Sequence, residues 1–187
     1  MSDPGPESRR GRLLVAAPAM EDPNFRRAVV LMLEHSPEGA LGLVLNRPTP
    51  LVAREALPRG LAEALPPAER VYEGGPVQPE AVIVMADFTD PSRAASIAFD
   101  NVGVVDPQHP AETLGGEVRS IRAFGGYAGW AGGQLEQEIA EEAWIDASSR
   151  REDVFTDAPG ALWSRVLERK GGAYRLIARM PDDPTRN

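Results

Sequence analysis

The sequence predicts an α+β domain with mostly antiparallel strands, and three observations carry that prediction. Short apolar runs with strand-type spacing recur along the chain. Polar turns containing Gly, Pro and Asn join several of these runs as hairpins. Helical patterns are inserted singly instead of following every strand, as a doubly wound parallel sheet would require.

Residues 13–17 form a short apolar run ended by Pro18, which predicts a first strand, and the turn Met20-Glu21-Asp22-Pro23 follows it. The next two runs, 29–33 and 41–46, flank Ser36-Pro37-Glu38-Gly39 and read as a buried hairpin. Val29, Leu31 and Leu33 occupy one face of its first arm and Val30 and Met32 the other, so that arm is expected at the centre of the sheet. The second arm leaves the sheet at Asn46, because Pro48 has no N–H to donate and drives Arg47 toward an extended conformation.

Residues 50–65 are rich in Ala, Leu and Glu, and Pro58 and Gly60 divide them into one or two short helices. Segments 70–73 and 81–86 predict a second hairpin joined by residues 74–80, and 97–105 predict a strand pair or a strand kinked at Asp100-Asn101. Residues 107–116 read as loop plus a turn of helix, and 118–124 as a half-buried strand. Residues 134–142 predict a helix with Leu135 and Ile139 inward and Glu136, Glu138, Glu141 and Glu142 outward. A short strand at 143–147 follows. Asp157-Ala158-Pro159 then opens a helix whose stripe of Leu162, Trp163, Val166 and Leu167 ends at Gly171-Gly172, and 174–178 read as a last strand.

A length of 187 residues suits one domain, expected over 11–180, with polar tails at 1–10 and 181–187. The absence of cysteine excludes disulfides, thiolate nucleophiles and sulfur-ligated metals. The run 29–33 is far short of the about 20 apolar residues that span a bilayer, and the N-terminus has no apolar signal core. The expectation is therefore a cytoplasmic protein without membrane association. A net charge of −8 opposes binding to nucleic acid or anionic lipid, since phosphate binding needs clustered Lys and Arg. The pairs Arg9-Arg10, Arg26-Arg27 and Arg150-Arg151 read as solvated surface instead of phosphate clamps.

Chemistry-bearing patterns are few. The glycine-rich run 124–134 enters a helix, as phosphate loops do, but its glycines at 126, 129 and 132 do not form G-x-G-x-x-G. Glu136 and Glu138 would also repel an anion there. The run reads as packing space beneath Tyr127 and Trp130. His35 sits between Glu34 and Ser36, yet neighbours in an extended segment face opposite ways, so a turn hydrogen bond is expected in place of a catalytic relay. His109 reads as a loop residue. No metal-ligand spacing occurs, so neither a metal nor a cofactor is expected. Asn46-Arg47-Pro48 and Gly74-Gly75-Pro76-Val77 end strands in turns able to present donors to a ligand, or alternatively pin the turns internally.

The spacing of His35 to Pro48, Gly74 to Val77 and Gly126 to Glu136 resembles the YqgE/AlgH family pattern H-x-x-x-G-A-x-G-L-V-L-N-R-P, G-G-P-V and G-Y-A-G-W-x-x-G-Q-L-E. The resemblance spans roughly residues 11–179 and is diffuse between 87 and 118. It implies a bifurcated, largely antiparallel sheet curled into a pseudo-barrel with inserted helices, and no particular reaction. Some members carry a transcriptional-regulator label, but no helix-turn-helix with basic flanks is present. The leading expectation is a non-enzymatic regulatory or interaction protein with an unidentified protein partner and no catalytic residue. The alternative is a small-molecule binder or enzyme with a cleft formed by His35, Asn46, Arg47, Gly74 and Gly75, and direct DNA binding ranks last. Tyr127, Trp130 and Gln134 complete the set of expected contact residues.

Overall fold

A computed structural model describes residues 7–108, 110, 114 and 118–182. The expected loop residue His109, most of the expected loop 107–116 and the outer parts of both expected tails lie outside the described residues. The strands are β1 (Leu13–Ala16), β2 (Val29–Ser36), β3 (Gly39–Val44), β4 (Pro48–Val52), β5 (Arg70–Glu73), β6 (Val77–Phe88), β7 (Ser96–Phe99), β8 (Val102–Val104), β9 (Val118–Ala131) and β10 (Trp144–Ala147). The helices are α1 (Ala53–Ala56), α2 (Arg59–Ala62), α3 (Gln134–Ala140), α4 (Arg151–Val154), α5 (Leu162–Lys170) and α6 (Tyr174–Ile177).

The main path of the sheet runs β10-β1-β2-β3-β9-β6-β8-β7, and β4 joins through β5. Among the described residues every pairing is antiparallel except β5 with β9. The path has two ends and β5 branches from β9, so the largely antiparallel sheet is bifurcated and is not closed into a barrel. As the apolar faces of 29–33 require, β2 lies between β1 and β3 with its first five residues buried. Their alternation feeds two cores. Val29 and Leu31 join Leu43, Leu45 and the α5 residues Leu162, Trp163, Val166 and Leu167. Val30 and Met32 join Trp130, Trp144 and Leu135 of α3 on the opposite face. A third core lies under α1 and α2 against β6 and β9.

The expected hairpin of β5 with β6 does not form. Both strands pair with β9 on opposite edges, and residues 74–76 carry the chain across its backbone. A Cβ at Gly74 would lie 2.3 Å from the Gly126 carbonyl oxygen, and one at Gly75, whose φ is 153°, would lie 2.1 Å from the Tyr127 carbonyl carbon. Gly74 also accepts from the Val44 amide and donates to Gly125, so the sheet forks between β3 and β9 at this residue. The Gly-Gly-Pro-Val motif thus builds a backbone-on-backbone crossing that side chains would block.

Three further expectations change. The run 124–131 is the second half of β9, not a connection, and Gly126, Ala128 and Trp130 are buried in strand alternation. Residues 174–177 form α6, because Tyr174, Ile177 and Ala178 meet the first core with helical spacing after the turn at Gly171-Gly172. Residues 48–52, which carry two prolines, still form β4, an edge strand paired only to β5 where missing N–H groups cost little. Arg169 on α5 grips the fully buried Asp153 of α4 with two hydrogen bonds of 2.9 and 2.7 Å.

Candidate functional site

The structure divides the expected contact residues among three places. Gly74 and Gly75 lie in the backbone crossing, closed against β9. Tyr127 is half-buried against the first core.

His35, Trp130 and Gln134 meet around α3. The His35 side chain is only 3% exposed, and its Nε2 lies 2.5 Å from Glu136 Oε1. Its Nδ1 accepts from the Arg9 amide at 3.0 Å, so that nitrogen carries no proton and Nε2 donates to the carboxylate. The imidazole is thereby spent at both nitrogens. The hydrogen bond from His35 holds the Glu136 carboxyl below its ordinary range against the opposing effect of burial. Trp130 and Trp144 both donate their indole N–H to Glu138 Oε2 at 2.8 Å. Gln134 donates to Glu138 Oε1 at 3.1 Å and accepts from the Ala131 amide at 3.1 Å. Glu136 and Glu138, expected to face outward, therefore fasten α3 to the sheet. Trp130 stacks on Phe25 and is 6% exposed, so its ring is packed between the sheet and α3.

The N-terminal segment is fastened to the same side. Arg9 and Arg12 both pair with Asp146 of β10. Burial raises the Asp146 carboxyl, but the hydrogen bonds and positive charges of Arg12 and Arg9 together outweigh it and hold the group below its usual range. The described part of the expected tail 1–10 thus makes specific bonds at Arg9 and, through Arg10, to the Ile97 carbonyl.

Asn46 and Arg47 lie elsewhere. The Asn46 side chain accepts from the Val29 amide at 3.0 Å and donates to the Arg27 carbonyl at 2.8 Å, continuing the β2–β3 ladder beyond the last strand residue. Arg47 donates to the carbonyls of Asn24 at 2.5 Å and Arg26 at 3.0 Å. These bonds draw the 24–27 turn beside the exit of β3 and gather Arg26, Arg27 and Arg47 on one cleft of about 470 Å³, with Trp163, Ser164 and Asp182 also lining it. Arg27 lies 4.1 Å from the centre of the Trp163 ring and 2.8 Å from Asp182 Oδ1.

Arg26-Arg27, expected to be plain solvated surface, is therefore part of a built cationic cleft. Hairpin register could have revealed it, since Val30 faces Val44 and the residues just beyond each strand must then be neighbours. Neither His35 nor Gly74-Gly75 reaches this cleft, so the expected ligand set is not brought together. Arginine's planar fork and delocalised charge suit carboxylate or phosphate recognition. Among the described residues no cluster of acids and histidines could hold a metal, and no helix is long and apolar enough to cross a membrane.

The DUF179 family model, described as AlgH-like, matches residues 13–175. This chain belongs to the AlgH-like family. It is 42% identical to a UPF0301 protein of Streptomyces avermitilis over 186 residues, 96% of either protein. It is 40% identical to a UPF0301 protein of Thermobifida fusca over 191 residues, again 96% of each. The crystal structure of protein DIP2367 from Corynebacterium diphtheriae superposes with a TM-score of 0.82 at 27% identity, covering 96% of this chain and 94% of that one. The solution structure of the AlgH protein from Pseudomonas aeruginosa gives a TM-score of 0.70 at 31% identity, covering 97% and 98%. The AlgH-like motifs thus divide by structural role, with the glycine motif at the strand crossing, the Gln-Leu-Glu motif at the α3 anchor and Asn-Arg-Pro beside the arginine cleft.

Proposed function

We propose that this AlgH-like protein is a non-enzymatic regulatory protein that binds a small anion in the cleft of Arg26, Arg27 and Arg47. One observation carries the reading. Three guanidinium groups line a single cleft of a chain whose net charge is −8, and among the described residues that line it Asp182 is the one carboxylate. Arg47 donates to neutral carbonyls, which orient its guanidinium without cancelling its charge. Asp182 on Arg27 illustrates the chemistry that such a cleft accepts, a carboxylate or phosphate oxygen laid against an arginine stacked on an indole. The non-catalytic part of the reading is supported by His35, whose two ring nitrogens are both committed.

A protein partner remains part of the reading because Leu176 and Met180 are 74% and 49% exposed on the segment that also supplies Asp182 to the cleft. An anion displacing Asp182 would shift that segment, which gives a route from ligand to partner. The reading assumes action in the cytoplasm. Direct DNA binding is disfavoured by the acidic surface.

Calorimetric titration with inorganic phosphate, pyrophosphate and succinate at low salt tests the proposal. Saturable binding by at least one of them, lost in Arg27→Gln and Arg47→Gln variants that keep the native fold, is expected. Heat signals that survive both substitutions, or none at millimolar concentrations of any probe, would count against it.

A further inference from the structure

A second cleft, which shares no lining residue with the first, is built around a buried carboxylate. Asp87 lies near the end of β6 with its side chain 3% exposed. Arg119 donates from Nη1 to Oδ1 at 3.0 Å and to the Phe88 carbonyl at 3.1 Å. Arg151 brings Nε to 2.9 Å from Oδ2, but out of line for a hydrogen bond. Oδ2 is therefore a buried, charge-paired oxygen with no hydrogen-bond donor. Such an oxygen favours replacement of the misaligned guanidinium by a donor that approaches in line. The Arg151 side chain is 54% exposed, which leaves it room to turn outward.

The cleft measures about 490 Å³, and its charged lining consists of Asp87, Asp100 and Glu152 against Arg119, Arg150 and Arg151. A simple anion would meet three carboxylates there, and a simple cation three guanidinium groups. A ligand bearing both signs gains at both ends. We propose that this cleft binds a small zwitterion, a free α-amino acid. Its ammonium takes the in-line position on Asp87 Oδ2 on the Asp100 side, and its carboxylate engages the guanidinium groups of Arg119, Arg150 and Arg151. The cleft has room for one amino acid. The inference stands independently of the anion cleft, since the two share no residue.

The test is an amide NMR titration of the full chain with the common α-amino acids, their N-acetylated and methyl-ester forms, acetate and ethylamine. At least one free amino acid should shift the signals of residues 87, 100–102, 119 and 149–152, and its blocked forms should bind about tenfold more weakly. Asp100→Asn and Arg150→Gln should each weaken that binding about tenfold. Both positions tolerate the change: Asp100 has φ 44°, which Asn also adopts, and the Arg150 side chain is 56% exposed. The proposal is overturned if no free amino acid shifts these signals at millimolar concentration, if acetate, ethylamine or a blocked form binds as tightly as the parent, or if both variants bind as the natural chain does.

Discussion

Glu138 on α3 receives the indole N–H groups of Trp130 and Trp144 and a side-chain amide besides, whereas Arg26, Arg27 and Arg47 reach mainly backbone carbonyls and one exposed acid. Both clusters consist of polar residues, and each ties a connection to the sheet. They differ in what is left over. The α3 cluster uses its charge and donors internally, while the arginine cluster fixes its geometry with neutral partners and keeps most of its charge. Polar residues with the same sequence appearance thus divide into anchors and candidate binding groups according to whether their charge is cancelled inside.

The comparison breaks first if Glu138 is dispensable. Glu138→Ala leaves two indole N–H groups, on tryptophans 6% and 4% exposed, without their acceptor, and should cost about 3 kcal/mol of stability in urea unfolding. Glu138→Gln keeps a neutral acceptor and should cost less. A loss within error for Glu138→Ala would remove the distinction between anchor and site.

Acid sharpens the same point. Glu136 has its carboxyl held down in the folded state, so its contribution is fully present above the ordinary glutamate range and is lost as pH falls through the lower folded value. Glu136→Gln should flatten the acid limb of a stability-versus-pH curve while Arg47→Gln leaves its shape unchanged. Parallel curves for the natural chain and Glu136→Gln would show that the His35 contact carries no proton linkage. At neutral pH, Arg47→Gln should lower stability by about 1 kcal/mol, the scale of its bonds to the 24 and 26 carbonyls, and abolish anion binding. A large stability loss with binding retained would move Arg47 into the class of anchors.

How much of this division was legible in the sequence depended on the range of the interactions. The β2–β3 hairpin was readable because period-two apolar runs and a polar turn are local signals. The crossing at Gly74-Gly75 was not, because a strand followed by glycines and another strand has the same local pattern whether the strands pair with each other or with opposite edges of a third. The segment 174–178 carried a helical triplet in Tyr174, Ile177 and Ala178, but five residues are too few for period alone to separate helix from strand. Glu136 and Glu138 look solvent-facing on an isolated helix, and only the approach of His35, Trp130 and Trp144 turns them inward. Asn46 and Arg47 were visible as candidates, whereas Arg26 and Arg27 required the hairpin register to be carried one step past the strand ends. Asp87 gave no signal, since its arginines come from β9 and α4, far away in the chain.

The smallest expected effect belongs to Asp182, and it asks whether the arginine cleft is open in the energetic sense. Its side chain is 82% exposed, so its pair with Arg27 is worth little to stability, and Asp182→Asn should leave the unfolding midpoint nearly unchanged. The same carboxylate competes with an incoming anion for Arg27. Removing its charge should therefore raise anion affinity about threefold, the scale of an exposed ion pair, with the gain fading as salt screens the cleft. An unchanged affinity would mean that Asp182 does not oppose binding. A weakened one would make the carboxylate part of the binding surface, and the cleft would then belong with the α3 cluster as a set of charges already matched from within.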